Sequence, residues 1–183
     1  MRRYRRDEIE QFLTAVDAAL SQPARVVVIG GSAAALHYGV TRATHDIDTW
    51  NAMRADLEAA VRAAHQTTGL PVPMGSTGVA DAPYEFESRV ERVLPALPRL
   101  EVYVPEKHDL ILMKTMRADE HDIQAIVEIH ANSPLDLDTL VHRFKSEMGA
   151  AIGDPQRLRG NFLVVVERLF PDAVETVARS LRR

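Results

Sequence analysis

The stretch from Arg25 to Asn51, RVVVIGGSAAALHYGVTRATHDIDTWN, constrains the chain more than any other. Val26-Val27-Val28-Ile29 is β-branched without alternation, the pattern of a strand buried on both faces. Gly30 and Gly31 then allow a sharp turn and leave room for a ligand to approach the backbone. Ser32 is a favourable N-cap for a helix over Ala33 to Tyr38, and the N–H groups at such a helix start form an anion site. A polar turn, Val40 to His45, leads into Asp46-Ile47-Asp48. Strand geometry puts both carboxylates on one face and Ile47 on the other. Two carboxylates aimed at one point repel each other unless a cation lies between them, and hard oxygen ligands favour Mg²⁺. A phosphate cradle beside a magnesium carboxylate pair equips a chain for phosphoryl or nucleotidyl transfer.

Composition narrows the frame. A chain of 183 residues with 46% hydrophobic side chains suffices for one domain with a real core, filled by aliphatic residues because aromatics are only 5%. The net charge of −4 exerts no global pull on nucleic acid. Local exceptions are the basic start, Arg2, Arg3, Arg5 and Arg6, and the end, Arg179, Arg182 and Arg183. With no cysteine there is no disulfide, thiol nucleophile or thiolate metal site. No apolar run approaches the ~18 residues of a membrane span, and the N-terminus has no signal-peptide core, so a cytoplasmic protein is expected. The histidines lack metal-binding spacing, which argues against a zinc enzyme. There is no nucleophile elbow and no Walker lysine after the glycines.

Gly-Gly-Ser, a short helix, a turn with Thr41, Arg42 and Thr44, and Asp-x-Asp about 14 residues after Ser32 resemble the DNA polymerase β-like nucleotidyltransferase superfamily. Within it, the chain is most similar to small bacterial proteins related to the AbiEii-type toxins. The core motif covers about 20 residues and weaker matches extend over roughly residues 20–130. The resemblance implies that Gly30, Gly31 and Ser32 bind triphosphate and that Asp46 and Asp48 hold Mg²⁺. Arg42 stands where it can neutralise triphosphate charge or form a salt bridge to Asp46 or Asp48. The superfamily adds a third carboxylate on a later strand. Here the usual aspartate is not evident, and Glu87 is the expected substitute, with Glu85 and Glu101 as rivals.

The rest of the chain reads in order. Arg6 to Ser21 is an amphipathic helix with Ile9, Phe12, Leu13, Val16 and Leu20 on one face. The arginines before it are either a solvated start or a nucleic-acid contact. Asp56 to Gln66 is a second helix, Thr67 to Pro83 a loop whose Met74–Gly78 segment is placed to fold over substrate, and Tyr84 to Val93 an alternating strand. Arg99 to Val104 is a further strand. Helices follow over Glu106 to Arg117 and Asp119 to His130, then Asp136 to Met148, Asp154 to Leu169 and Pro171 to Leu181, with Ser133 and Asp136 as candidate N-caps. The block EKHDLILMKTMR followed by DEHDI resembles the segment after the last strand in AbiEii-like proteins. That implies a phosphate-directed Lys114 and a neighbouring Asp122, with Arg117 as a helper.

The expected architecture is α/β (α+β): a mixed-sheet nucleotidyltransferase fold in a single domain, 1–183. Its core, 1–130, includes the N-terminal helix, and 131–183 is a helical C-terminal extension. The expected activity is Mg²⁺-dependent transfer of a nucleoside monophosphate from an NTP to a hydroxyl acceptor. The resemblance implies RNA, often tRNA, as acceptor in a toxin–antitoxin-like setting with a cognate antitoxin; a small-molecule or protein hydroxyl is the other option. The alternatives are a degenerate fold that binds nucleotide without turnover, and a partner-binding protein.

Overall fold

The structure is a computed structural model that describes residues 2–77 and 81–182. Its elements run α1 (Arg6–Ala19), β1 (Ala24–Val27), α2 (Gly30–His37), β2 (Ile47–Thr49), α3 (Ala55–Thr68) and β3 (Met74–Ser76). A 3-10 turn (Phe86–Arg89), β4 (Glu91–Val93) and β5 (Leu100–Val104) come next. Helices α4 (Lys107–Thr115), α5 (Glu120–Asn132), α6 (Leu137–Glu147), α7 (Pro155–Leu169) and α8 (Val174–Ser180) follow, with a 3-10 turn, Pro171–Ala173, before α8. The fold is mixed α/β, as expected. Two compact units emerge, Met1–Val79 with Val90–Pro105, and Ala80–Arg89 with Glu106–Arg183. These units cross the expected division at residue 130, since α4 and α5 fall with the later helices.

In the first unit β1 runs parallel to β5, with Val26 opposite Val102, and β4 runs antiparallel to β5. β2 runs parallel to β3, with Ile47 opposite Met74. An antiparallel bridge, Val28 to Thr49, sets β2 beside the end of β1. Ile29 N–H donates to Asp48 O at 3.0 Å and Trp50 N–H to Val27 O at 2.8 Å. Val26 to Ile29 are all buried, so the apolar run fills the interior from both faces of β1. α1 and α3 pack on each other, with Ile9, Phe12 and Val16 of α1 and Leu57, Ala60 and Ala64 of α3 buried. The buried Asp17 carboxylate accepts from Arg99 N–H and Leu100 N–H, both at 2.7 Å, and ties α1 to the start of β5.

Two local expectations are corrected. The stretch Thr67 to Pro83 is not all loop, because Met74–Ser76 is drawn into a ladder by β2, a pairing no local pattern announces. Of its Met74–Gly78 segment, Gly78 lies outside the described residues, as does Arg183 at the basic end. Tyr84 to Val93 is not one strand. Phe86 N–H bonds to Pro83 O and Ser88 N–H to Glu85 O, each at 3.1 Å, which curls the chain into a 3-10 turn. Phe86 is buried while Tyr84 is 83% exposed, so the apparent alternation does not define one buried face.

The second unit is helical, with α4 packed against α5, α6 and α7 around Leu110, Ile111, Ile126, Ile129, Leu140 and Phe162. Carboxylates cap the helix starts: Asp119 accepts from Asp122 N–H, Asp136 from Thr139 N–H and Asp154 from Gln156 N–H. Ser133 is not an N-cap; it closes the C-terminal end of α5.

Candidate functional site

The glycine turn and the paired aspartates come together in the first unit. Gly30 has φ +68°, a left-handed conformation that strains any other residue. A Cβ at Gly30 would lie 3.5 Å from Asp48 Oδ2, and one at Gly31 would lie 2.8 Å from Thr44 Oγ1. The first glycine thus serves the turn and the second serves close packing. Together they bring the start of α2 against the aspartate strand. Ile47 is fully buried while Asp46 and Asp48 are half-buried, the alternation expected of Asp-x-Asp.

Ser32 departs from its expected role as N-cap. Ile29 occupies the cap position, without a side-chain cap bond, and the helix begins at Gly30. Ser32 is buried and its hydroxyl donates to the main-chain carbonyl of Asp46. The N–H groups ahead of the Ala33 N–H to Ile29 O bond, at 3.4 Å, are those that a helix start leaves without an intrahelical acceptor. Arg42 is half-buried in the turn before the aspartates. The segment before α1 flanks the same turn, with reciprocal Tyr4–Thr44 main-chain bonds and Arg3 Nε donating to His45 Nε2 at 3.2 Å. Arg2, Arg5 and Arg6 pair with Glu8, Asp7 and Glu10, which offsets much of their charge.

The first two candidates for a third carboxylate do not lie on the strand expected to carry them. Glu87 is exposed on the 3-10 turn of the second unit rather than on a strand, so its strand rationale fails, and the same holds for Glu85. Glu101 lies on β5 opposite Arg25, and Tyr103, not an acid, stands opposite Val27, nearer the glycine turn. Arg25 covers the Tyr103 ring at 4.4 Å. Among the described residues, no group of three or more His, Asp or Glu side chains is placed to hold a metal ion. The two aspartates alone still suit Mg²⁺, which takes one or two protein carboxylates and completes its shell with water and substrate phosphate. The space that the absent Gly30 Cβ leaves beside Asp48 fits that arrangement.

The other expected residues lie in the second unit. Lys114 Nζ meets Asp122 Oδ1 at 3.2 Å, both nearly buried, and Arg117 forks onto the same carboxylate at 2.8 and 3.1 Å. A larger ion-pair network was not anticipated from sequence. The fully buried Asp109 accepts from Arg89 Nε at 2.8 Å, Arg89 Nη2 at 3.0 Å and Arg143 Nη1 at 2.9 Å. Glu147 also binds Arg89, at 2.6 Å, and Glu106 binds Arg143, at 2.5 Å. The available signal was one carboxylate, Asp109, set directly before Leu110-Ile111-Leu112. Hydrogen bonding to Asp109, against the opposing effect of burial and with help from Glu147, raises the Arg89 guanidinium above its ordinary range. Burial pushes the Glu106 carboxyl up, but His108 and Arg143 outweigh it and hold it at about 2.

The family model for nucleotidyltransferases of unknown function (DUF6036) matches residues 7–168, and the chain belongs to that family. No curated protein and no solved structure matches the chain.

Proposed function

We propose that the chain is a Mg²⁺-dependent nucleotidyltransferase of the DNA polymerase β-like superfamily, similar to AbiEii-like proteins. It would move a nucleoside monophosphate from an NTP to a hydroxyl acceptor. The observation that carries this reading is the meeting of the left-handed Gly30 with Asp48, whose Oδ2 lies 3.5 Å from the position of an added Cβ. The turn's N–H groups would orient the β- and γ-phosphates, and Asp46 and Asp48 would hold the metal. When bound, Mg²⁺ supplies positive charge against the charge that builds at the α-phosphate. The acceptor hydroxyl oxygen would bond to that phosphorus and release its proton to solvent as the bond to the pyrophosphate oxygen breaks, and pyrophosphate would leave. Arg42 would contribute phosphate-directed positive charge beside the aspartates; the same role for Lys114 rests on the resemblance alone. The acceptor is RNA, with tRNA foremost, in a toxin–antitoxin-like setting; this part rests on the resemblance alone.

A second reading, nucleotide binding without turnover, is favoured by the absence of a three-carboxylate group among the described residues. Thermal stability with each NTP, with and without Mg²⁺, tests the site. The expected result is a Mg²⁺-dependent shift in the wild type that is lost in Asp46→Ala/Asp48→Ala. Pyrophosphate release in the presence of total RNA then separates the readings, since binding without turnover gives the shift and no release. No shift with any NTP overturns both.

A further inference from the structure

We infer that Ser32 is a positioning residue for the aspartate pair rather than a phosphate ligand through its hydroxyl. The inference rests on the metal-site reading above. Two bonds from the glycine turn hold the two aspartates by their main-chain carbonyls. Ile29 N–H, just before the glycines, takes Asp48 O at 3.0 Å. Ser32 Oγ, just after them, donates to Asp46 O.

The second bond is needed because Asp46 precedes β2 and its carbonyl lies outside the β2–β3 ladder, which starts at Ile47 opposite Met74. The remaining donor at that carbonyl, Thr44 Oγ1, lies at 3.4 Å and contributes little. The N–H side of the Asp46–Ile47 peptide is held by Pro73 O at 2.8 Å, so Ser32 supplies the hold on its carbonyl side; without it the peptide is tethered at one end only, and a tilt there shifts the Asp46 carboxylate relative to Asp48. A hydroxyl committed as donor to a carbonyl, on a residue only 1% exposed, is turned away from solvent and from any phosphate at the helix start. The glycine turn and the metal carboxylates therefore move as one piece, and Ser32 is the link on the Asp46 side.

The test uses the full chain as wild type, Ser32→Ala and Asp46→Asn/Asp48→Asn. Alanine suits a buried position in the first turn of a helix, and thermal melting checks that the fold is kept. Three quantities are read: Mn²⁺ binding by the loss of its free-ion electron paramagnetic resonance signal, ATP binding in EDTA, and amide exchange at Ile29 and Ile47. For Ser32→Ala we expect Mn²⁺ binding weakened about tenfold, faster exchange at Ile29 and Ile47, unchanged exchange in α4 to α7, and unchanged metal-free ATP binding. Unchanged Mn²⁺ affinity and unchanged Ile29 exchange overturn the inference. So does a loss of metal-free ATP binding with Ile29 exchange unchanged, which assigns the hydroxyl to phosphate. If the wild type binds no Mn²⁺, or the double asparagine variant binds it equally well, the metal-site reading fails. The exchange data then decide alone whether Ser32 couples turn and strand.

Discussion

Two clusters of carboxylates, one in each unit, are held in opposite ways. Asp46 and Asp48 are gripped by their main-chain carbonyls, through Ser32 and Ile29, and their side chains stay half-buried beside a glycine turn. Asp109 and Glu106 are gripped by their carboxylates, through Arg89, Arg143 and His108. The first arrangement fixes the two aspartates through their backbone and keeps their side chains half-buried rather than sealed in the core. The second neutralises its charges internally and spends their binding capacity on holding the 3-10 turn, α4 and α6 together. The mode of attachment, more than the number of acids, separates a candidate reaction site from a scaffold.

The largest expected effect breaks the comparison if it fails. Asp109→Asn leaves the half-buried Arg89 and Arg143 with too few counter-charges around a fully buried position and is expected to cost about 3–5 kcal/mol. Asp48→Asn is expected to cost less than about 1 kcal/mol, because it removes repulsion from Asp46 along with any favourable contact. Urea unfolding of both variants measures the contrast. Similar costs for the two would mean that the aspartate pair is structural as well.

Acid titration comes next. Glu106 is held at about 2 against an ordinary 4.5. A carboxyl lowered in the folded state contributes stability that is fully present above its unfolded value and lost as pH falls through the folded one. Between about pH 4.5 and 2 the second unit should therefore lose about 3 kcal/mol through this group. Glu106→Gln should start less stable at neutral pH and show a flatter acid limb in unfolding curves. An acid limb identical to that of the wild type would remove Glu106 from the network.

These contrasts also explain what was legible in the sequence. Helices α1 and α3 announced themselves through apolar residues at helical spacing, α6 and α7 through capping and punctuating residues, and β1 through an unbroken β-branched run. The Asp-x-Asp alternation came out half-buried, buried, half-buried because period-2 geometry is local. What was not legible is what depends on distant partners. Met74–Ser76 is a strand only because β2 pairs with it. Arg89 reads as one more surface charge until Asp109 and Glu147 are folded against it. Ser32 sits where an N-cap is expected, yet the helix begins at Gly30, three residues earlier than expected, which frees its hydroxyl for Asp46. The single strand expected over Tyr84 to Val93 is absent for the same reason, since its alternation belongs to a 3-10 turn followed by a short strand.

The two glycines sharpen the picture at smaller cost. Gly31→Ala drives a methyl against Thr44, whose main chain is pinned both ways to Tyr4 and cannot easily retreat. It should cost about 1–3 kcal/mol, and Thr44→Ala should recover about 1 kcal/mol of that in a double-mutant cycle. Gly30→Ala is strained by its φ instead, at about 1–2 kcal/mol, and Thr44→Ala should not relieve it. Equal rescue of both by Thr44→Ala would show that one steric cause, not two, fixes the turn.

The smallest expected stability change decides which cluster Lys114 resembles. Its ammonium touches Asp122, but Arg117 holds that carboxylate with two bonds of its own. Lys114→Met therefore leaves Asp122 paired and should cost about 1 kcal/mol, well short of the ~3–5 kcal/mol for stranding a buried charge. Asp122→Asn should cost more, since it leaves the Lys114 ammonium nearly buried without a full counter-charge. A lysine that serves phosphate shows a second signature: Lys114→Met abolishes the NTP-induced thermal shift although the free protein is barely weakened. If the shift survives and stability drops as far as in Asp122→Asn, Lys114 belongs with Arg89 and Arg143 as scaffold. Phosphate recognition is then carried by the glycine turn and Arg42. The same two variants thus apply the criterion of attachment to a side chain whose charge is already half-committed, where inspection of its contacts alone assigns it to neither cluster.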